Sequence, residues 1–303
     1  MKKFIVLVLF LTACAGGTQA LAATPEINNE IGTANDQTQV LATPTILPTA
    51  EPIEPLPGKV VIPIEKMAKE IPWLSKDEKA IPVTTFIAIN SAVPPFDDPL
   101  VRKAFSLAID RKRISEGEKA RGSNSSVPAT SFIPPQMLGV DLYQAVGLDF
   151  DTKAAKAALT EAGFSDLSKL PKIEIVFYEK SMDLVKAYQE MWKTALGVEV
   201  ILVPVKSGAE LNKYIEEKKP GLSILGVWIA DYIDPHNFTF DTFLHPDTPY
   251  PQFIDKKFEE LVAKAEAEIK NPSDRQILYI EAEKILCETG VFVIPVTHAL
   301  IAK

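Results

Sequence analysis

Residues Trp228 to Phe238 read W-I-A-D-Y-I-D-P-H-N-F and follow directly on an apolar, strand-like run from Leu222. One carboxylate, Asp231, lies between two rings, Trp228 and Tyr232. That combination suits capture of an ammonium group, because a carboxylate supplies charge and rings supply apolar walls and cation–π attraction. A second reading stays open. An aspartate after a strand also serves as a turn or cap residue, and a tryptophan ending a strand also serves as core. Further on, Asp234-Pro235 signals a cap for the next segment, and Asn237 a bond to backbone.

The other reactive residue types do not assemble into a reaction centre. His236, His245 and His298 show no i,i+4 pairing of the kind that holds a metal, and neither a Gly-x-Ser-x-Gly elbow nor a Gly-rich phosphate loop is present. The expectation is a protein that is not an enzyme and has no cofactor and no metal. Cys287 lies on an apparent helix beside Glu288, which predicts a small buried hydrophobe rather than a nucleophile. A formal net charge of −8 argues against a nucleic-acid partner.

The elements that must position Asp231 alternate between strand and helix. Strands are predicted over 83–90, 172–178, 198–205, 222–228 and 292–296. Asp98 with Pro99 opens a helix that presents Val101, Phe105 and Ala108 on one face. Thr152 to Ala162 forms a second helix, ended by Gly163. Asp183 is read as the cap of a third, with Leu184, Ala187, Met191 and Leu196 on its stripe before Gly197. A short helix follows near 210–217, then two over 255–270 and 274–288, the last opening on a Ser273-Asp-Arg-Gln276 capping box. Residues 116–145 read as irregular. This order predicts an α/β fold with a parallel or mixed sheet covered by helices on both faces. In such sheets ligands sit beyond the carboxyl ends of strands, which is where Trp228 and Asp231 fall.

At the amino end, Lys2 and Lys3 precede an apolar segment, Phe4 to Leu11, and then Leu11-Thr12-Ala13-Cys14. This resembles a bacterial lipoprotein signal, which implies lipidation of Cys14 and retention at the outer face of a membrane. Residues 15–58 contain no lysine or arginine and carry prolines at 44, 48, 52, 55 and 57. They are expected to form a disordered, semi-stiff tether. The domain division is therefore 1–14, 15–58 and a folded 59–303.

A second motif, Asn90 to Ile114, reads N-S-A-V-P-P-F-D-D-P-L-V-R-K-A-F-S-L-A-I-D-R-K-R-I. Together with the W-I-A-D-Y segment it resembles the family 5 extracellular solute-binding proteins, the oligopeptide- and dipeptide-binding components of ABC importers. The resemblance covers about residues 80–303 and implies a single lobe of periplasmic-binding-protein type II, an incomplete clamshell. In peptide-binding relatives the aspartate of W-x-A-D-Y pairs with the ligand's α-amino group. By position that role passes to Asp231, with Trp228 walling a side-chain pocket and Tyr232 beside it. The partners implied are a peptide or other small solute, an ABC permease and a separately encoded first lobe. Arg102 is expected to pair with a carboxylate. One departure bears on ligand class: Ile224 to Val227 contains no arginine, where some oligopeptide binders place a base for the ligand carboxylate. A non-transport interaction or scaffold lipoprotein, or a decaying fragment that retains the fold, is the alternative.

Overall fold

The computed structural model describes residues 80–123, 125–138, 146–224, 227–245 and 255–302. The signal segment, Cys14, the tether and the first part of the expected 59–303 domain lie outside the described residues.

A seven-stranded mixed sheet organises the fold, in the order β2-β7-β1-β5-β3-β4 with β6 also paired to β1. The strands are β1 (Ala80–Ile89), β2 (Val127–Pro128), β3 (Ile173–Tyr178), β4 (Val200–Val205), β5 (Leu222–Ile224), β6 (Val227–Ile229) and β7 (Val293–Ala302). β3 pairs in parallel with β4 and β5, whereas β1 pairs antiparallel with β5, β6 and β7. The fold class read from the sequence, a mixed sheet flanked by helices, is the one observed.

Alternation along β1 divides the interior in two. Ile87 and Ile89 enter one core and Phe86 and Ala88 the other, as period-two side chains on opposite faces must. The first core is closed by α1 (Pro99–Leu107), α4 (Thr152–Glu161) and α5 (Met182–Leu196), and centres on Phe105, Tyr188 and Trp192. Trp192 is fully buried and its Nε1 donates to the Phe105 carbonyl at 3.0 Å. The second core is closed by α7 (Pro235–Thr239), α8 (Lys256–Ala267) and α9 (Pro272–Lys284), with π-helical turns at Phe240–Leu244 and Ile285–Thr289. α6 (Gly208–Lys218) covers a small cluster of Val176, Val205 and Leu211.

Several expected helix starts are as read. Asp98 Oδ1 accepts from Leu100 N, Asp151 caps α4, and Gly197 ends α5 at φ 75, a backbone state that an L side chain resists. Others differ. The region from 116, expected to be irregular, continues α2 (Arg111–Ala120) and then holds β2 and α3 (Pro135–Leu138). Asp183 does not cap α5, which starts at Met182 and buries Val185, Tyr188 and Trp192 more deeply than Leu184 and Ala187. α9 is capped by Asn271, not by a Ser273 box, because Pro272 takes the first helical position and Asn271 Oδ1 accepts from Ser273 N and Asp274 N. Arg102 donates to the carbonyls of Gly290, Phe96 and Asp97 and so ties loops together instead of meeting a carboxylate.

Candidate functional site

The expected strand over 222–228 is two strands. β5 is buried throughout, whereas in β6 Val227 and Ile229 are 42% and 45% exposed. The distinction follows from pairing. β5 lies between β1 and β3, but among the described strands β6 pairs only with β1, through Val83↔Ile229, Thr84↔Trp228 and Thr85↔Val227. Trp228 points to the opposite face from its neighbours and packs half-buried against the second core.

Asp231, Tyr232 and Ile233 follow in an exposed turn. Asp234 ends the turn as the cap of α7, its Oδ1 accepting from His236 N at 2.8 Å, with Pro235 at the first helical position. Asp234 also makes a two-pronged pair with Arg275, both N···O distances being 2.8 Å. Burial of Asp234 works against its charge, but the bonds from Arg275 and from His236 N outweigh it and hold the carboxyl below the usual carboxylate range. Arg275 is itself fixed by the Ala265 carbonyl and by stacking over Tyr279.

A fully buried side chain, Asn237, holds the site together. Its Oδ1 accepts from Trp228 Nε1 at 3.1 Å and from Asp231 N at 3.2 Å, and its Nδ2 donates to Asp241 Oδ2 at 2.9 Å. Asp241 Oδ2 in turn accepts from the Tyr232 hydroxyl at 2.6 Å, and that hydroxyl also contacts His236 Nδ1 at 2.7 Å. Partial burial and then the bond to Asp241 push the Tyr232 phenol up, so it stays a neutral donor. The structure therefore brings Trp228, Asp231 and Tyr232 into one network through Asn237 and Asp241. Asn237 was read only as a backbone partner; it also binds two side chains, and nothing in its local sequence marks the second role. His236 lies on α7 and stacks on Phe240 at 5.0 Å. Cys287 is buried as expected, with its thiol donating to Glu283 at 3.3 Å.

One exposed carboxylate sits on a braced turn beside an apolar edge strand whose second edge is open among the described strands. No group of three or more His, Cys, Asp or Glu that could hold a metal occurs among the described residues. The family profile of the bacterial extracellular solute-binding proteins, family 5 (middle region), matches residues 48–250. The chain belongs to that family.

Individual relatives are similar over part of their length. The chain is 31% identical over 195 residues to the oligopeptide-binding protein OppA of Bacillus subtilis, covering 58% of this chain and 34% of that protein. It is 27% identical over 256 residues to the periplasmic oligopeptide-binding protein OppA of Escherichia coli, covering 80% and 45%. It thus spans between a third and a half of the length of these curated family 5 relatives. A solved structure titled as a peptide-binding protein of a peptide ABC transporter superposes with a TM-score of 0.59 at 25% identity, covering 72% of this chain and 99% of that one. No helix among the described residues is long and apolar enough to cross a membrane.

Proposed function

We propose that the protein is a membrane-anchored solute-binding lipoprotein that works in peptide import, and that it captures the free amino terminus of a peptide at Asp231. The observation that carries this reading is the braced turn: Asn237 Oδ1 binds both Asp231 N and Trp228 Nε1, which fixes an exposed carboxylate at the end of β6. The edge of β6 that is unpaired among the described strands supports it, since an extended peptide adds to such an edge through main-chain bonds while side-chain pockets select sequence. Val227 and Ile229 offer apolar contact beside that edge. The names of the relatives, two of them oligopeptide-binding proteins, point the same way. Lipidation of Cys14, from the Leu11-Thr12-Ala13-Cys14 signal, would supply the anchor; a mass increase of the mature amino terminus would reveal it.

This face binds weakly by itself. Ligand pockets bury most of their ligand, whereas Asp231 and Tyr232 face outward on one side only. An exposed carboxylate–ammonium pair contributes about 0.2 to 1 kcal/mol, against about 8 kcal/mol for micromolar binding. High affinity therefore calls for a second surface closing over Asp231, such as a first lobe supplied separately, and delivery calls for an ABC permease. Calorimetry of the purified chain with a pool of short peptides should give heats too weak for a micromolar fit. Micromolar heats that vanish in Asp231→Ala would show that this face suffices and overturn the need for a second surface.

A further inference from the structure

A groove of about 460 Å³ opens where the turn before α7 meets the connection between α8 and α9. Ile233 and Ile269, both in its lining, are 59% and 83% exposed, the two most exposed large hydrophobic residues among those described. Singly exposed apolar residues are ordinary, but two lining one concavity mark an interaction surface.

The charges around the groove say what it would accept. Its lining holds three carboxylates, Asp234, Glu266 and Glu268, against one guanidinium, Arg275. Arg275 does not offset the two glutamates, because its guanidinium is already committed to Asp234 and Ala265. Glu268 Oε1 accepts from Asn271 N at 2.8 Å and Lys270 N at 2.9 Å, which fixes the carboxylate at the rim and holds it ionised below its ordinary range. Among the described residues, His236 Nε2 also lies 3.8 Å from Glu266 Oε1. We propose that this groove docks a protein segment that presents a lysine or arginine beside an aliphatic side chain, the aliphatic group seating between Ile233 and Ile269 and the cation meeting Glu266 and Glu268. The occupant is distinct from the captured peptide, and the proposal does not depend on Asp231.

The test uses the full chain and a fluorescein-labelled probe of alternating leucine and lysine, acetylated and amidated at its ends so that it carries no α-ammonium group. Saturable anisotropy is expected. Binding should weaken at least about tenfold in the double variant Ile233→Ser/Ile269→Ser, a loss of about 1.4 kcal/mol. It should weaken with added salt and in Glu266→Gln/Glu268→Gln, which leaves the apolar walls in place. The distant surface change Glu190→Gln should leave it as in wild type. Equal binding of a leucine–glutamate probe, wild-type binding by both double variants, or binding abolished by Asp231→Asn would each overturn the proposal. Circular dichroism confirms folding, and the two double variants act through different side chains, so a folding defect in one leaves the other decisive.

Discussion

Replacing Asn237 with alanine removes the acceptor shared by Trp228 Nε1 and Asp231 N and the donor to Asp241, all from a side chain with no exposed surface. A buried donor deprived of its acceptor costs about 1–3 kcal/mol. Some of this is recovered as the turn opens to water, so a net loss of about 3 kcal/mol is expected. For a body of this size that lowers Tm by about 6–12 °C. Asn237→Asp discriminates the parts of the network. It keeps the acceptor for Trp228 and Asp231 but sets a carboxylate against Asp241 where an amide donated at 2.9 Å. Its deficit should therefore shrink at acid pH, as one of the two carboxylates takes up a proton, whereas the alanine deficit should not. Thermal unfolding followed by circular dichroism gives the stabilities, and the backbone amide resonance of Asp231 reports the turn. An alanine variant within about 0.5 kcal/mol of wild type with an unmoved Asp231 amide would refute the bracing argument.

Three further outcomes follow from the same coordinates. Glu283 is fully buried, its Oε1 accepts from Ile133 N at 3.1 Å and from Phe132 N, and its Oε2 has no hydrogen-bond partner among the described residues; burial pushes its carboxyl up to about 7. A raised native value means stability that is full below the unfolded value of 4.5 and is lost as pH rises through about 7, by about 3 kcal/mol at 1.36 kcal/mol per pH unit. His298 has the opposite sign: burial lowers it from 6.5 to about 3, so its contribution is present above 6.5 and is lost as pH falls toward 3. The two oppose between about 4.5 and 6.5, and urea titrations of Glu283→Gln should show stability falling on acidification in that window where wild type is nearly flat. Trp192→Ala should cost about 3–5 kcal/mol in the same assay, since it empties the centre of the first core and strips the Phe105 carbonyl of its donor. Ile229→Glu, at an exposed position, should leave Tm within a few degrees of wild type while weakening peptide-induced resonance shifts at β6; unchanged shifts would exclude the β6 edge from the ligand path.

Much of this arrangement was legible in the sequence because its signals are local. Asp98-Pro99 and Gly197 each set a helix end through the backbone within a few residues, so position alone reveals them. The placement of Asp231 past a strand was equally local. The misreadings concern partners distant in the chain or exposure decided by neighbours. Val227 and Ile229 continue the apolar run from Leu222 but lie at the surface, on the opposite face from Trp228, which packs against the second core. Arg102 meets Gly290 across 188 residues, and Glu283 meets Phe132 across 151, distances no motif spans. Asn237 lies only 9 residues from Trp228 but reaches it because α7 folds back over the strand end.

The central claim is that Asp231 receives a ligand ammonium group, and residue-resolved titration tests it most directly. Amide resonances of the ¹⁵N-labelled chain are followed against a tripeptide with a free amino terminus and against its N-acetyl counterpart. The account predicts saturable shifts at Asp231, Tyr232 and Ile233 with the free amine at millimolar concentration, lost on acetylation and lost in Asp231→Asn. Equal shifts from the acetylated peptide, or shifts that persist in Asp231→Asn, would contradict it.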